Sequence, residues 1–316
     1  MKRHIVFALC LSSLAYAESK VLQGISFFSP RSQTIDMVRY QTGSHPYTHL
    51  YESTSFNGVF KVTPEYKRSY HAVRIAQALF GTDRLFISGS EVETRNPNAM
   101  LADYFGLSPS FQSEVCLNPH IKNFIFTLSG YFGFDNWIPG LYAAIHAPIT
   151  WTKWDFKMEE TIFNSGSGTQ FPALYMDSVA VDPAYASFKD ALVGNKTYGQ
   201  MTNPLAFGKI CGSQTKAGLS DLLLLLGYDV IATENGYAGF NIRLSAPTGT
   251  RPNSKYFFEP IIGNGKHWEL GGGFSGKVLL WEADGLQELS LFADVNLTHL
   301  FKTRQTRSFD FCNNGF

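Results

Sequence analysis

Charge is scarce in this 316-residue chain, at 16% of residues, against about 25% in ordinary soluble domains. Its 26 basic and 26 acidic residues balance, so the basic excess that recruits nucleic acid is missing. Long hydrophobic runs are missing as well: beyond the N-terminus no stretch approaches the ~18 uninterrupted apolar residues of a membrane-spanning helix. Cysteine is sparse, with four residues. Cys10 falls in an N-terminal segment expected to be removed, and Cys116, Cys211 and Cys312 are an odd, scattered set rather than a disulfide framework. There is no GxSxG elbow, no HExxH helix and no paired CxxC. Gly271 to Lys277 matches only the first part of a phosphate loop, with Val278 where Ser or Thr should bind magnesium. No enzymatic activity, cofactor or metal is expected.

What the chain has is aromatics, at 15% with 27 Phe, interleaved with polar residues. Between Tyr237 and Ala246, Ala238, Phe240, Ile242, Leu244 and Ala246 fall on one face, and Tyr237, Gly239, Asn241, Arg243 and Ser245 on the other. Leu289, Leu291, Ala293, Val295 and Leu297 repeat the pattern against Glu288, Ser290, Phe292, Asp294, Asn296 and Thr298. Soluble strands usually stop at about 5–6 residues. His267 to Glu282 and Glu288 to Phe301 run well past the ~9–11 that cross a bilayer on a tilt. The stretch from Gly218 to Phe301 is therefore expected to be four long strands in two hairpins of a transmembrane β-barrel. Asn235-Gly236 is expected to supply a type I′ turn and Ala283-Asp284-Gly285 the second turn.

Lys2, Arg3 and His4, an apolar stretch from Ile5 to Leu14, and Ala15-Tyr16-Ala17 form a secretory signal with cleavage after Ala17. Losing Lys2 and Arg3 shifts the net charge to about −2. Residues 18–55 show little alternation and are expected to be a lead-in or a plug. Residues 56–316 are expected to form the barrel. Phe56 to Tyr66 is its first strand, with Lys61, Thr63 and Glu65 opposite Phe60, Val62 and Tyr66. Ser69 is placed to cap a short helix ending at Gly81, Leu85 to Val92 is a short strand, and Asn96-Pro97 opens another short helix. Phe111 to Leu117, Phe124 to Phe134, Leu141 to Trp151 and Trp154 to Ile162 follow as strands. Residues 164–216 are a long helix-containing loop, with Asp182 as cap, Pro183 in the first turn and Gly194 as terminator. Tyr256 to Ile262 is a further short strand. In all, roughly ten to fourteen barrel strands are expected.

The facing assignment places Lys61, Glu65, Asp221, Asp229, Arg243, Glu269, Lys277, Glu288 and Asp294 on the pore-lining wall. Charges on the lumen side stay hydrated, whereas a Lys or Arg at the lipid midplane costs about 2–4 kcal/mol. Trp137, Trp151, Trp154 and Trp268 are the candidate interface aromatics, and Trp281 joins them only if a bulge re-aims it.

Leu101-Ala102-Asp103-Tyr104-Phe105-Gly106-Leu107, Ala246-Pro247-Thr248-Gly249 and Arg307-Ser308-Phe309-Asp310-Phe311, together with the signal and the hairpins, resemble uncharacterised outer-membrane barrel proteins of intracellular bacteria. The resemblance implies a porin-like barrel in family members that continue past Phe316. The expected function is passive diffusion of small hydrophilic solutes across the bacterial outer membrane, with membrane lipid and those solutes as partners and no nucleic acid. The alternatives are a structural or host-contacting surface protein anchored by the barrel, and a secreted β-sandwich binding protein.

Overall fold

The computed structural model describes residues 47–51, 55–167, 184–198, 201–283 and 287–306. The expected signal segment, most of the expected lead-in, Asp182, Pro183, Asp284, Gly285 and the last ten residues lie outside the described residues. The fold is all-β with two short helices. Its strands are β1 (Asn57–Arg68), β2 (Arg84–Ser88), β3 (Met100–Leu101), β4 (Gln112–Leu117), β5 (His120–Gly133) and β6 (Leu141–Asp155). They continue with β7 (Met158–Asn164), β8 (Ser213–Leu219), β9 (Leu222–Thr233), β10 (Gly236–Ala246), β11 (Glu269–Ala283) and β12 (Gln287–Leu300).

The long strands form one antiparallel sheet in the order β1-β5-β6-β9-β10-β11-β12, with β8 also paired to β6. β8 lies along Ile149–Asp155 and β9 along Leu141–His146, so the two are one line broken at Ser220 and Asp221. The break sits opposite Pro148, which has no N–H to donate. Its carbonyl accepts from the Ser220 N–H at 2.7 Å. The sheet thus has seven strand positions, curled into a half-barrel, and its edges β1 and β12 do not pair with each other among the described residues.

The four long strands expected between Gly218 and Phe301 are present as β9 to β12, with β9 paired to β10 and β11 to β12, both antiparallel as expected. The first turn differs in detail. Its positive φ falls on Gly236 (154°) and not on Asn235, so the type I′ turn, which needs two such residues, is not formed. Thr233 Oγ1 instead donates to the Gly236 carbonyl at 3.0 Å. In β11 a register shift between Leu279 and Trp281 is the bulge that the sequence required to turn Trp281 outward.

Not every strand belongs to the large sheet. β2, β3, β4 and β7 form a second, four-stranded sheet in the order β3-β2-β4-β7, although Phe111 to Leu117 and Trp154 to Ile162 were expected as barrel strands. Leu141 to Asp155 is a single strand, so Trp151 and Trp154 share it. The small sheet packs with helix α1 (Ala72–Phe80) and helix α2 (Phe188–Val193) around a core of Ile87, Leu107, Phe111, Val115, Phe156 and Phe188. Ser69 does not cap α1; its hydroxyl accepts from the Ile121 N–H at 2.9 Å, tying the end of β1 to β5. The short helix expected from Asn96 is a turn followed by a 3-10 segment, Ala102–Phe105, which ends at Gly106 in the left-handed region (φ 68°). α2 starts later than expected: Ser187 caps it, accepting from the Asp190 N–H at 3.0 Å, and Gly194 ends it as expected. Glu160 of β7 also receives the Phe188 and Lys189 N–H groups, each at 3.0 Å. Tyr256 to Ile262 is not a strand but irregular chain with one bridge to Lys209. It is held because Glu259 pairs with Lys216 at 2.8 Å and accepts from the Asn253 and Ser254 N–H groups.

The connections sort by end. At one end the connections are short: seven residues separate β5 from β6, two separate β9 from β10, and three separate β11 from β12. At the other, β1 leads into α1 and the small sheet, β6 into residues 156–212, and β10 into residues 247–268. The small sheet therefore caps the long-connection end. Within this cap Tyr198 donates to the Tyr104 carbonyl at 3.1 Å. Burial, and then the neighbouring Tyr185, raise its phenol above the ordinary tyrosine pKa.

Candidate functional site

The distinguishing surface is the outward face of the large sheet. Phe240 and Ile242 are each 61% exposed and Leu297 is 84% exposed, while Asn241 and Arg243 between and beside them are only 5% and 6% exposed. In β1 the same inversion exposes Phe60, Val62 and Tyr66 and half-buries Lys61, Thr63 and Glu65. Alternate outward positions from Gly58 to Tyr66, Phe124 to Phe132, Leu141 to Trp151, Leu222 to Val230, Ala238 to Ala246, Leu270 to Leu280 and Leu289 to Leu297 contain no Asp, Glu, Lys or Arg. In β1 this band runs roughly 27 Å along the strand, at about 3.4 Å per residue.

The concave face is polar and crowded. Arg243 Nη2 reaches both carboxylate oxygens of Asp294, at 2.9 and 3.1 Å, and Arg243 Nε donates to Asn241 Oδ1 at 2.7 Å. Arg243 is on β10 and Asp294 on β12, so the guanidinium must pass over β11. Gly273 makes that crossing possible, since a Cβ there would stand 2.8 Å from Asn241 Oδ1 and 3.2 Å from Arg243 Nε. Gly227 does the same for Tyr142, whose ring would overlap a Cβ at that position. The Tyr142 hydroxyl then lies 3.4 Å from Ser275 Oγ, three strand positions away. These inner-face glycines let the sheet curl until its own side chains meet.

His49, at the end of the segment expected as lead-in or plug, sits inside this concavity. Its Nδ1 lies 2.7 Å from Asp229 Oδ2, and both side chains are buried. The imidazole stacks on Tyr237 with centroids 4.1 Å apart and meets Tyr142 edge-on at 4.6 Å. The His49 N–H donates to the Tyr131 hydroxyl at 3.1 Å. The residue holds a positive φ of 55°, a conformation uncommon for a non-glycine residue.

The expected wall residues are all placed by this geometry. Arg243 and Asp294 pair with each other, and Asp229 pairs with His49. Lys277 and Glu288 pair at 2.6 Å nearer the tight-turn end. Glu65 pairs with Lys67 at 2.8 Å on β1, and Lys61 lies on the same face of that strand, half-buried. Asp221 and Glu269 are at the long-connection end, where both hold Asn264: Asp221 accepts from its N–H at 2.7 Å and Glu269 from its side-chain amide at 2.9 Å. Those two organise a connection more than they line a wall.

No family model and no curated protein matches this chain.

Of the candidate interface aromatics, Trp151, Trp137 and Trp268 are exposed, the last two at opposite ends of the large sheet, and Trp137 stacks on Phe134 at 5.6 Å. Trp154 differs. It is 4% exposed and packs on Phe258 at 4.9 Å, with its indole N–H donating to Thr152 Oγ1. Three residues from Trp151 on one continuous strand, it must point to the opposite face. The residues that sequence reasoning missed are His49, Tyr131 and Tyr142. Tyr131 carried a usable signal, since it shares the polar face of β5 with Thr127 and Ser129; His49 carried none.

Proposed function

We propose that the chain is an outer-membrane β-barrel protein that enters its membrane after signal cleavage and passes small hydrophilic solutes through a charged, polar interior. The observation that carries the membrane assignment is the inverted sheet: charge-free and aliphatic or aromatic outside, paired ions and hydroxyls inside. A soluble sandwich keeps the opposite arrangement, because about 25 cal/mol accrues per Å² of apolar surface removed from water. In lipid the inverted arrangement is the stable one. The ends agree with it, since barrels of this kind have short turns on the periplasmic side and long loops outside; the capped end would then face outward.

Three opposite pairs stand on the inner face, Arg243 with Asp294, Lys277 with Glu288, and Glu65 with Lys67, while Asp229 lies against His49. Paired charge favours a weakly selective path over a strongly cation- or anion-selective one. A second reading, an anchor that displays the cap as a contact surface, is favoured by the separately cored small sheet. Planar-bilayer recordings on the refolded chain decide between them. Stepwise conductance with a reversal potential near zero in a salt gradient supports the channel. Stable insertion with no conductance leaves the anchor. A chain that stays monodisperse without detergent and does not enter vesicles removes the membrane assignment.

A further inference from the structure

At the long-connection end the outward face of three adjacent strands changes character in one step. Tyr66, Phe124 and Trp151 stand side by side across β1, β5 and β6, all exposed. Two residues further along each strand, Arg68 is directly opposite Lys122, and Lys122 directly opposite Lys153. Three cations in cross-strand register repel one another. Among the described residues none of the three is within ion-pair distance of a carboxylate. Arg68 packs its guanidinium over the Tyr70 ring at 5.6 Å. The row opens onto a cavity of about 290 Å³ lined also by His120, Lys157 and Asp155. Asp155, whose carboxylate also accepts from the Lys157 backbone N–H at 3.1 Å, brings one negative charge against the three cations of the row, so the row stays net positive. The row is local: the next outward position along it, on β8, is Thr215.

Resting on the membrane reading above, we propose that Arg68, Lys122 and Lys153, with His120 and Lys157 around the cavity, bind the phosphate groups of an anionic lipid headgroup. An aromatic row marks the level where acyl chains give way to headgroups, and the cations begin one step beyond it, where lipid phosphates lie. Guanidinium and ammonium groups are the usual partners of phosphate oxygens, Arg by its planar fork and Lys as a point charge. The confinement to three strands makes this a site for one or a few lipids rather than a uniform basic rim. A free phosphate ion offers the same anionic oxygens, but it gains nothing from Tyr66, Phe124 and Trp151 beneath the row.

The test uses the full chain reconstituted into phosphatidylcholine vesicles with and without phosphatidylglycerol, and native mass spectrometry to count retained lipids. Each basic residue near a charged membrane surface changes binding roughly fivefold. The double variant Lys122→Gln/Lys153→Gln is therefore expected to lose on the order of 20- to 30-fold of the preference for phosphatidylglycerol, while Lys189→Gln on α2 keeps it. Excess inorganic phosphate is expected to displace little lipid. Equal lipid retention by wild type and the double variant, both inserted and heat-modifiable on gels, overturns the site and leaves the barrel standing. Full displacement by inorganic phosphate overturns the lipid assignment in favour of a small-anion site. A wild-type chain that fails to insert at all overturns the barrel reading and the site together.

Discussion

Placing a charge at Ile242 separates a lipid-facing sheet from a water-facing one by sign as well as size. Ile242 is the central outward residue of β10, between Phe240 and Leu244, and it is 61% exposed. If that face meets water, Ile242→Lys removes an exposed apolar side chain at a non-packed position, and the change stays within about 0.5 kcal/mol. If it meets lipid, a lysine near the bilayer midplane costs about 2–4 kcal/mol, which lowers the folded-to-unfolded ratio by roughly 30- to several-hundred-fold. Depth supplies the internal control. Ala246 lies on the same face at the end of the strand, where the same lysine costs only about 0–1 kcal/mol. Equilibrium denaturant titrations of the chain folded in vesicles, followed by tryptophan emission and by gel mobility without boiling, measure both variants. A steep cost at Ile242 with a shallow one at Ala246 is expected. Equal, near-zero effects at the two positions, or a gain in stability at Ile242, would refute the lipid-facing assignment of β10.

Removing the Arg243 guanidinium by Arg243→Ala leaves Asp294 buried without its cation and is expected to cost about 3–5 kcal/mol; Arg243→Met with Asp294→Leu should recover most of it, and a double variant as unstable as the single one would show that the pair is not the cause. Gly227→Val forces a side chain into the Tyr142 ring and should destabilise by about 1–3 kcal/mol, with the loss relieved when Tyr142→Ala is added, as thermal unfolding of the two variants would reveal. Trp154→Ala opens a hole against Phe258 and Phe156 and is expected to cost about 3–5 kcal/mol with loss of near-ultraviolet circular dichroism, whereas Trp151→Ala, on the outward face, leaves that signal from the cap unchanged.

The long strands were legible because inversion of the two faces is a period-2 signal repeated over eleven to fifteen residues in β10, β11 and β12. Alternation reports facing, and length reports which environment the facing serves. Alternation does not report sheet membership, and so β4 and β7, at six and seven residues, were grouped with the barrel. Their shortness was the available signal. The strands expected to end at Trp151 and to begin at Trp154 are one, because β5 offers β6 an unbroken partner from Tyr142 to Asp155. Phe257 and Phe258 both enter the apolar core as neighbours in sequence, which irregular chain allows and a strand does not. His49 was illegible for a different reason. Its segment has no periodicity, and its position follows from tertiary contacts with Asp229, Tyr237 and Tyr142 that only the curl of the sheet brings together.

Strand direction limits how the large sheet can close. Each of the six steps from β1 to β12 along its order is antiparallel, so β1 and β12 run the same way. Joining these edges directly would make a parallel seam. Antiparallel closure, the rule in bacterial outer-membrane barrels with their even strand numbers, requires an odd number of further strands between them. A second copy inserted in the same orientation does not meet that requirement, because its β1 would again run parallel to the β12 it met. A copy inserted upside down would make an antiparallel pair only by putting caps on both sides of the membrane, against the sorting of long and short connections that each copy has. On the barrel reading proposed above, self-association is therefore an unsuitable way to close this sheet, and antiparallel closure calls for an odd number of strands beyond the seven described positions.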